Sequence, residues 1–140
     1  MIVMPYLFFA GNCEEAMNFY SGAIGSPIDM LMRMKDSPEP PPPEHAPPGS
    51  ENLVMHASMH LGKDTVLMAS DDPSGQAQGF HGFSLSLTVD SKAEADRIYA
   101  ALAAGGRQTM PMGQTFWSPW FGMLTDKFGV GWMISLPGQA

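Results

Sequence analysis

The sequence predicts an α+β fold of two tandem βαβββ modules, whose strands form a curved mixed sheet around a cleft. Three observations lead there. A capped amphipathic helix occurs twice. An apolar strand precedes each copy. Three further strand-like segments follow each copy in the same order.

The helix repeat is the most direct signal. Asn12-Cys13-Glu14-Glu15-Ala16-Met17-Asn18-Phe19-Tyr20 resembles Ser91-Lys92-Ala93-Glu94-Ala95-Asp96-Arg97-Ile98-Tyr99, 79 residues further on. Asn12 and Ser91 are N-cap residue types, and Glu15 and Glu94 stand three residues later, as a capping box requires. Ala16, Phe19, Tyr20, Ala23 and Ile24 have helical i, i+3, i+4 spacing, and Ala95, Ile98, Tyr99 and Leu102 repeat the stripe. Gly25 and Gly105-Gly106 are helix stops.

The strands preceding the helices are 5–10 and 82–89. After the first helix, strands are expected near 28–35, 53–61 and 64–70. After the second, they are expected near 107–112, 120–125 and 131–136. Residues 1–140 then form one domain, with module one at about 4–70 and module two at about 81–137. Residues 36–50 interrupt module one and hold seven of the 13 prolines. Proline removes a donor and fixes φ, so this stretch is a surface loop, or else a lid or an arm across a second subunit.

Composition excludes several function classes. The net charge is −7, and the seven Lys and Arg are scattered. Nucleic acid binding needs clustered cations, so none is expected. No apolar run approaches the roughly 20 residues of a membrane span. Met1-Ile2-Val3-Met4-Pro5 lacks a basic n-region, so no secretory signal is expected. Cys13 is the single cysteine, which fits a reducing cytoplasm.

Strand alternation proposes a binding face. Phe83, Leu85, Leu87 and Val89 alternate with Ser84, Ser86 and Thr88. Met55, Ala57, Met59 and Leu61 alternate with His56, Ser58 and His60. The apolar sides belong under the helices. The hydroxyl and imidazole sides belong to a roomy, polar-tolerant space. Trp117 and Trp120 flank Ser118-Pro119, where they could stack on a planar ligand or a second subunit, or simply pack.

The chain resembles the vicinal oxygen chelate superfamily of glyoxalase I, bleomycin-resistance proteins and extradiol dioxygenases. Within it, the chain resembles the PhnB-like branch, also described as demethylubiquinone methyltransferase-like. The resemblance rests on Phe8 to Tyr20, on Val54-Met55-His56-Ala57, on Thr115-Phe116-Trp117 and on Phe121 to Ile134, with Trp132, Gly129 and Asp126 spaced along that last stretch. It covers nearly the whole chain outside the proline insertion. It implies a homodimer with small-molecule pockets. The methyltransferase description has no counterpart in the residues, because no Gly-rich strand-to-helix loop with a following acid occurs.

In metal-dependent members of the superfamily, His and Glu from the first and last strands of each module hold a divalent ion. Here those places fall at or near Pro5, Ser84, Met68, and Met133 or Ser135. Thioethers and hydroxyls are poor sole ligands for such an ion, and a catalytic site needs about three good ones. His56 and His60 share a strand face but stand about 13 Å apart. His56 is the one weak metal candidate, and its ordinary reading is a hydrogen-bonded pocket or core histidine. His60 and His81 read as surface residues, and His45 lies in the insertion.

Cys13 lies in the first helical turn, where a helix dipole favours thiolate. With no base beside it in sequence, it reads as a small, partly exposed neighbour of the cap. Asp126 reads as an Asx turn. The 13 methionines read mostly as core, and some as adaptable pocket lining.

The expectation is a cytoplasmic, homodimeric, PhnB-like protein that binds a small organic molecule without a cofactor. The ligand-binding candidates are His56, Ser58, Met68, Ser84, Ser86, Trp117, Trp120 and Ser135. The alternative is a lyase, isomerase or dioxygenase using a divalent metal through an altered ligand set centred on His56.

Overall fold

A βαβββ module must bury one stripe of its helix against one face of its sheet. The computed structural model describes residues 1–39, 42, 44 and 47–138, and it contains this arrangement twice. The chain divides into two compact units, Met1–Gln78 and Gly79–Ala140. Each holds one helix and one four-stranded mixed sheet.

In the first unit the elements are β1 (Tyr6–Phe9), α1 (Cys13–Ile24), β2 (Ile28–Arg33), β3 (Val54–Leu61) and β4 (Thr65–Asp71). The sheet order is β1-β4-β3-β2, with β1 parallel to β4 and the other pairs antiparallel. In the second unit they are β5 (Leu85–Thr88), α2 (Lys92–Ala103), β6 (Arg107–Gly113), β7 (Phe121–Thr125) and β8 (Gly131–Ser135). The order β5-β8-β7-β6 repeats the first, again with a parallel first pair.

α2 buries the expected stripe; α1 buries part of it, with Phe19 and Ile24 only half-buried and Cys13 and Met17 buried instead. On α1, Ala16, Tyr20 and Ala23 are buried together with Cys13 and Met17. On α2, Ala95, Ile98, Tyr99 and Leu102 are buried. Beneath α1 lie Leu7, Phe9, Ala57, Met59, Leu67 and Ala69, and in the second unit Leu124, Trp132 and Ile134 are buried. The Tyr99 hydroxyl donates to the carbonyls of Met110 and Met123, at 2.9 and 3.0 Å. Those bonds tie α2 to β6 and β7 and satisfy a phenol that burial would otherwise penalise.

The two N-caps differ, against expectation. Ser91 accepts the Glu94 N–H at 3.1 Å. The Asn12 side chain makes no cap bond. Asp71, at the end of β4, takes its place. Its Oδ1 accepts the N–H groups of Gly11 and Cys13 at 3.0 and 2.9 Å, and its Oδ2 accepts that of Val54 at 2.9 Å. A charged acceptor from across the sheet satisfies the orphan donors better than the local amide. It also ties α1, β3 and β4 together.

Two further expectations are corrected. Phe83 does not sit beneath α2. β5 begins only at Leu85, and Phe83 is 47% exposed, edge-on to Phe80. Cys13 is not partly exposed but fully buried, because its side chain points inward on the buried stripe.

The proline segment closes at its base. The amides of Met34 and Lys35 donate to the carbonyls of Leu53 and Glu51. Five residues of the lid or arm expected at 36–50, Pro40, Pro41, Pro43, His45 and Ala46, lie outside the described residues.

Candidate functional site

The site grows from the sheet face of the second module that points away from α2. Register defines that face. Ser86 pairs with Met133 and Thr88 with Ser135 across β5 and β8, and Met133 and Ser135 pair with Met123 and Phe121 across β8 and β7. Alternation puts Leu85, Leu87, Trp132 and Ile134 on the opposite side.

The segment between β6 and β7 forms a wall beside this face. The Thr115 amide donates to the Ser118 carbonyl at 3.0 Å, and the Ser118 amide donates to the Thr115 hydroxyl at 3.1 Å. The Ser118 hydroxyl is buried, 2.9 Å from the carbonyls of both Trp120 and Leu136. The loop is thereby pinned to the chain that follows β8. Gly138 runs so close to Trp117 that a Cβ there would come within 2.5 Å of the Trp117 carbonyl oxygen. These contacts present the Trp117 indole beside the hydroxyl face. It is 49% exposed and stands edge-on to Phe121, with centroids 5.3 Å apart.

Together these parts form an open cavity of about 410 Å³, with Ser86 and Thr88 still exposed to solvent. Ser86, Thr88, Trp117, Phe121, Met133 and Ser135 line it, with Ser118 and residues 136–138 at its rim. No ionisable side chain lines it among the described residues. The volume lies in the range of small-molecule sites, and the mixture of apolar wall and few hydroxyls is usual for them.

The first module treats the equivalent face differently. Tyr6 pairs with Met68 where Ser86 pairs with Met133, and Phe8 pairs with Ser70 where Thr88 pairs with Ser135. Aromatic rings thus stand where the second module carries small hydroxyls. The Tyr6 hydroxyl is 3.0 Å from His56 Nδ1, and the Tyr6 ring is tilted against both His56 and Phe8.

The candidates therefore separate. Ser86, Trp117 and Ser135 come together around one cavity. His56, Ser58 and Met68 share the sheet face of the first module with Tyr6. Ser84 precedes β5 and packs on Gly131, where a Cβ would come within 2.8 Å of its hydroxyl. Trp120 is not in the cavity wall. Its indole donates to Asp96 Oδ1 at 2.7 Å, and Lys92 Nζ lies 3.8 Å from its ring centroid. Those partners clamp it to the first turns of α2. His60 is exposed and paired with Asp29 at 2.6 Å, and His81 is exposed. Asp126 forms the expected Asx turn, accepting the Phe128 amide at 2.8 Å, and its other oxygen accepts the Trp132 indole N–H at 2.9 Å.

Sequence reasoning missed Phe121 and Tyr6. Phe121 belongs to Phe-Gly-Met-Leu-Thr, whose two faces are both nearly apolar. Tyr6 lies in a strand whose aromatic residues fall on both faces. Neither segment carries an alternation that separates inside from outside.

The ligand places implied by the resemblance do not fit a divalent ion. The Pro5 carbonyl accepts the Met68 amide at 3.2 Å, Ser84 is packed on Gly131, and the Ser135 hydroxyl lies 3.4 Å from that of Thr88. Among the described residues, no three His, Cys, Asp or Glu side chains come together. The donor set is thioether and hydroxyl, which hard and borderline divalent ions bind poorly.

Cys13 offers no nucleophile either. Burial, with Asp71 and Glu14 adding repulsion, pushes its thiol up to about 12. A thiol so protonated at neutral pH is inert.

Comparison with known proteins places these features in context. Residues 2–135 match the family model described as 3-demethylubiquinone-9 3-methyltransferase. Protein PA1353 from Pseudomonas aeruginosa is 43% identical, with 99% of each chain covered and a TM-score of 0.85. The PhnB protein from Bacillus cereus is 32% identical over 97% of this chain and 99% of that one, with a TM-score of 0.74. A glyoxylase/bleomycin resistance protein/dioxygenase domain from Frankia shares the fold at 16% identity and a TM-score of 0.69, covering 99% of this chain and 93% of that one.

Proposed function

The chain belongs to the PhnB-like family of the vicinal oxygen chelate fold, the family of the 3-demethylubiquinone-9 3-methyltransferase model, and from that premise we propose that it binds a small, uncharged organic molecule without a metal. The single observation that carries the reading is the cavity of about 410 Å³ on the second module. Its wall is Trp117, Phe121 and Met133, and its hydrogen-bonding groups are the hydroxyls of Ser86, Thr88 and Ser135.

Chemistry narrows the ligand. A charged ligand would lose its hydration without gaining an opposite charge, which is costly. An entirely apolar ligand would cover the Ser86 hydroxyl and leave Thr88 and Ser135 only each other as partners. A neutral molecule with an apolar body and a polar edge satisfies both walls. Fold by itself does not choose between binding and catalysis. Binding is favoured because the described lining residues include no acid, base or activated nucleophile.

The proposal includes a homodimer in the cytoplasm. Phe8, Phe83 and Phe116 expose large apolar surface that a second copy could cover. The single cysteine suits a reducing compartment. No helix among the described residues is long and apolar enough to cross a membrane.

Thermal-shift screening with uncharged aromatic and aliphatic alcohols and ketones tests the reading, followed by calorimetry on each hit. Ser86→Phe should abolish binding while the protein stays folded, since the Ser86 side chain faces the cavity. Hits that bind Ser86→Phe as well as they bind the parent would overturn the assignment of this cavity.

A further inference from the structure

The pairing of Trp117 with Phe121 says more about the ligand than the cavity volume does. We infer that the second-module cavity selects a flat aromatic ring carrying a neutral hydroxyl or carbonyl. This rests on the binding reading above and names the ligand class for the same site.

The two rings make a corner. Their planes meet at 75°, with centroids 5.3 Å apart. Phe121 is buried at 7% exposure, whereas Trp117 is 49% exposed. A flat ring laid on the open indole would meet Phe121 at a steep angle. It would gain a stacked and an edge-to-face contact together, and both are favoured aromatic geometries. A saturated ring of similar size is thicker and has no π face to offer, so it gains the apolar contact without the aromatic pairing.

The corner is also held ready. The Ser118 hydroxyl and the Thr115–Ser118 bonds fix the backbone on either side of Trp117. The exposed Phe116 ring stands edge-on to the indole, with centroids 4.8 Å apart. A braced aromatic loses little freedom on binding, which is how preorganisation raises affinity. At 49% exposure the Trp117 indole is not core packing, in contrast to Trp132 at 1%.

The second wall sets the polar edge. Thr88 and Ser135 face each other across the β5–β8 ladder, and their hydroxyls are only 3.4 Å apart. Each can donate or accept, so the pair serves a hydroxyl or a carbonyl equally.

The first module shows what closes such a face. Tyr6 and Phe8 occupy the β1 places that Ser86 and Thr88 occupy on β5. Ser86→Tyr is therefore a substitution the fold already accommodates in its other half.

Calorimetry at pH 7 with 2-naphthol and its saturated counterpart decahydro-2-naphthol provides the test. The two carry a neutral hydroxyl at the same position of the same ring skeleton, and the Trp117 variants separate ring stacking from the stronger donation of the aryl hydroxyl. The parent protein should bind 2-naphthol tighter by roughly tenfold, the magnitude of one aromatic pair. Trp117→Phe should keep that preference and Trp117→Leu should lose it. Both variants should retain the near-ultraviolet dichroism of buried Trp132. Equal affinity for both compounds, lost in Ser86→Tyr, would sink the aromatic class and leave the cavity standing as a binding site. Binding of neither compound would overturn both the class and the site. A preference that survives Trp117→Leu would also overturn the inference.

Discussion

Asp71 Oδ1 accepts the backbone N–H of Cys13 at 2.9 Å, so the first helix is capped by a residue 58 positions away. The carboxylate is 3% exposed and takes two further N–H bonds, from Gly11 and Val54. Asp71→Ala leaves three donors without a partner. The loss should be on the order of 3 kcal/mol, or about 10 °C in Tm. Asp71→Asn retains one acceptor oxygen and should fall between. Differential scanning calorimetry measures both. An Asp71→Ala protein as stable as the parent would mean that Asn12 or water caps α1.

The same contact bears on pH. The folded Cys13 thiol is pushed up to about 12, above the usual value of a free thiol, by burial first and then by Asp71 and Glu14. The unfolded chain therefore releases this proton first as pH rises. The stability Cys13 supports is complete below its unfolded pKa, falls as pH climbs past it, and is lost by the folded value. Urea titrations from neutral pH to pH 11 should show an alkaline decline that Cys13→Ala lessens. Native protein should resist dithiobis-nitrobenzoate at pH 8 and react once unfolded. Rapid labelling of the native protein would contradict the burial.

Ser118 should matter more than its size implies. Its buried hydroxyl reaches the carbonyls of Trp120 and Leu136, and its backbone is bonded to Thr115. Ser118→Ala should cost about 1 to 2 kcal/mol and weaken ligand affinity by loosening Trp117. Chemical denaturation and calorimetry separate the two effects. Unchanged affinity at reduced stability would show that the loop holds Trp117 without this bond.

Protein purified without a histidine tag should carry no stoichiometric divalent metal. Elemental analysis decides it. One equivalent of Mn, Fe, Ni or Zn that disappears in His56→Ala would establish a metal centre on the first module. That result would overturn the metal-free reading.

Local patterns made most of the fold legible. The Ser91 cap with Glu94, the stripe from Ala95 to Leu102 and the alternation of Leu85, Ser86, Leu87 and Thr88 involve residues within about one turn or two of each other. Their period alone reveals the element. Part of the candidate site was legible for the same reason. Ser86 stands out as a hydroxyl among apolar neighbours and Trp117 as an aromatic outside any helical stripe, whereas Ser135 was reached only through the family resemblance. Trp120 carried the same sequence signal as Trp117, yet its indole is spent on Asp96 and Lys92. Phe121 and Tyr6 carried no signal, because both faces of their strands are apolar.

What the sequence determined by itself is the two-module plan, its helices, its strands and the faces of those strands whose apolar and polar residues alternate. Periodicity encodes these, because each element buries one side of itself whatever lies beyond. Tertiary structure alone decided that Asp71 caps α1, that Trp117 opens onto a cavity while Trp120 clamps a helix, and that one module fills its sheet face with Tyr6 and Phe8 where the other leaves Ser86 and Thr88. Each of these depends on which distant side chain best satisfies a given donor or fills a given void. Such competition is settled by packing in three dimensions and leaves no period in the chain.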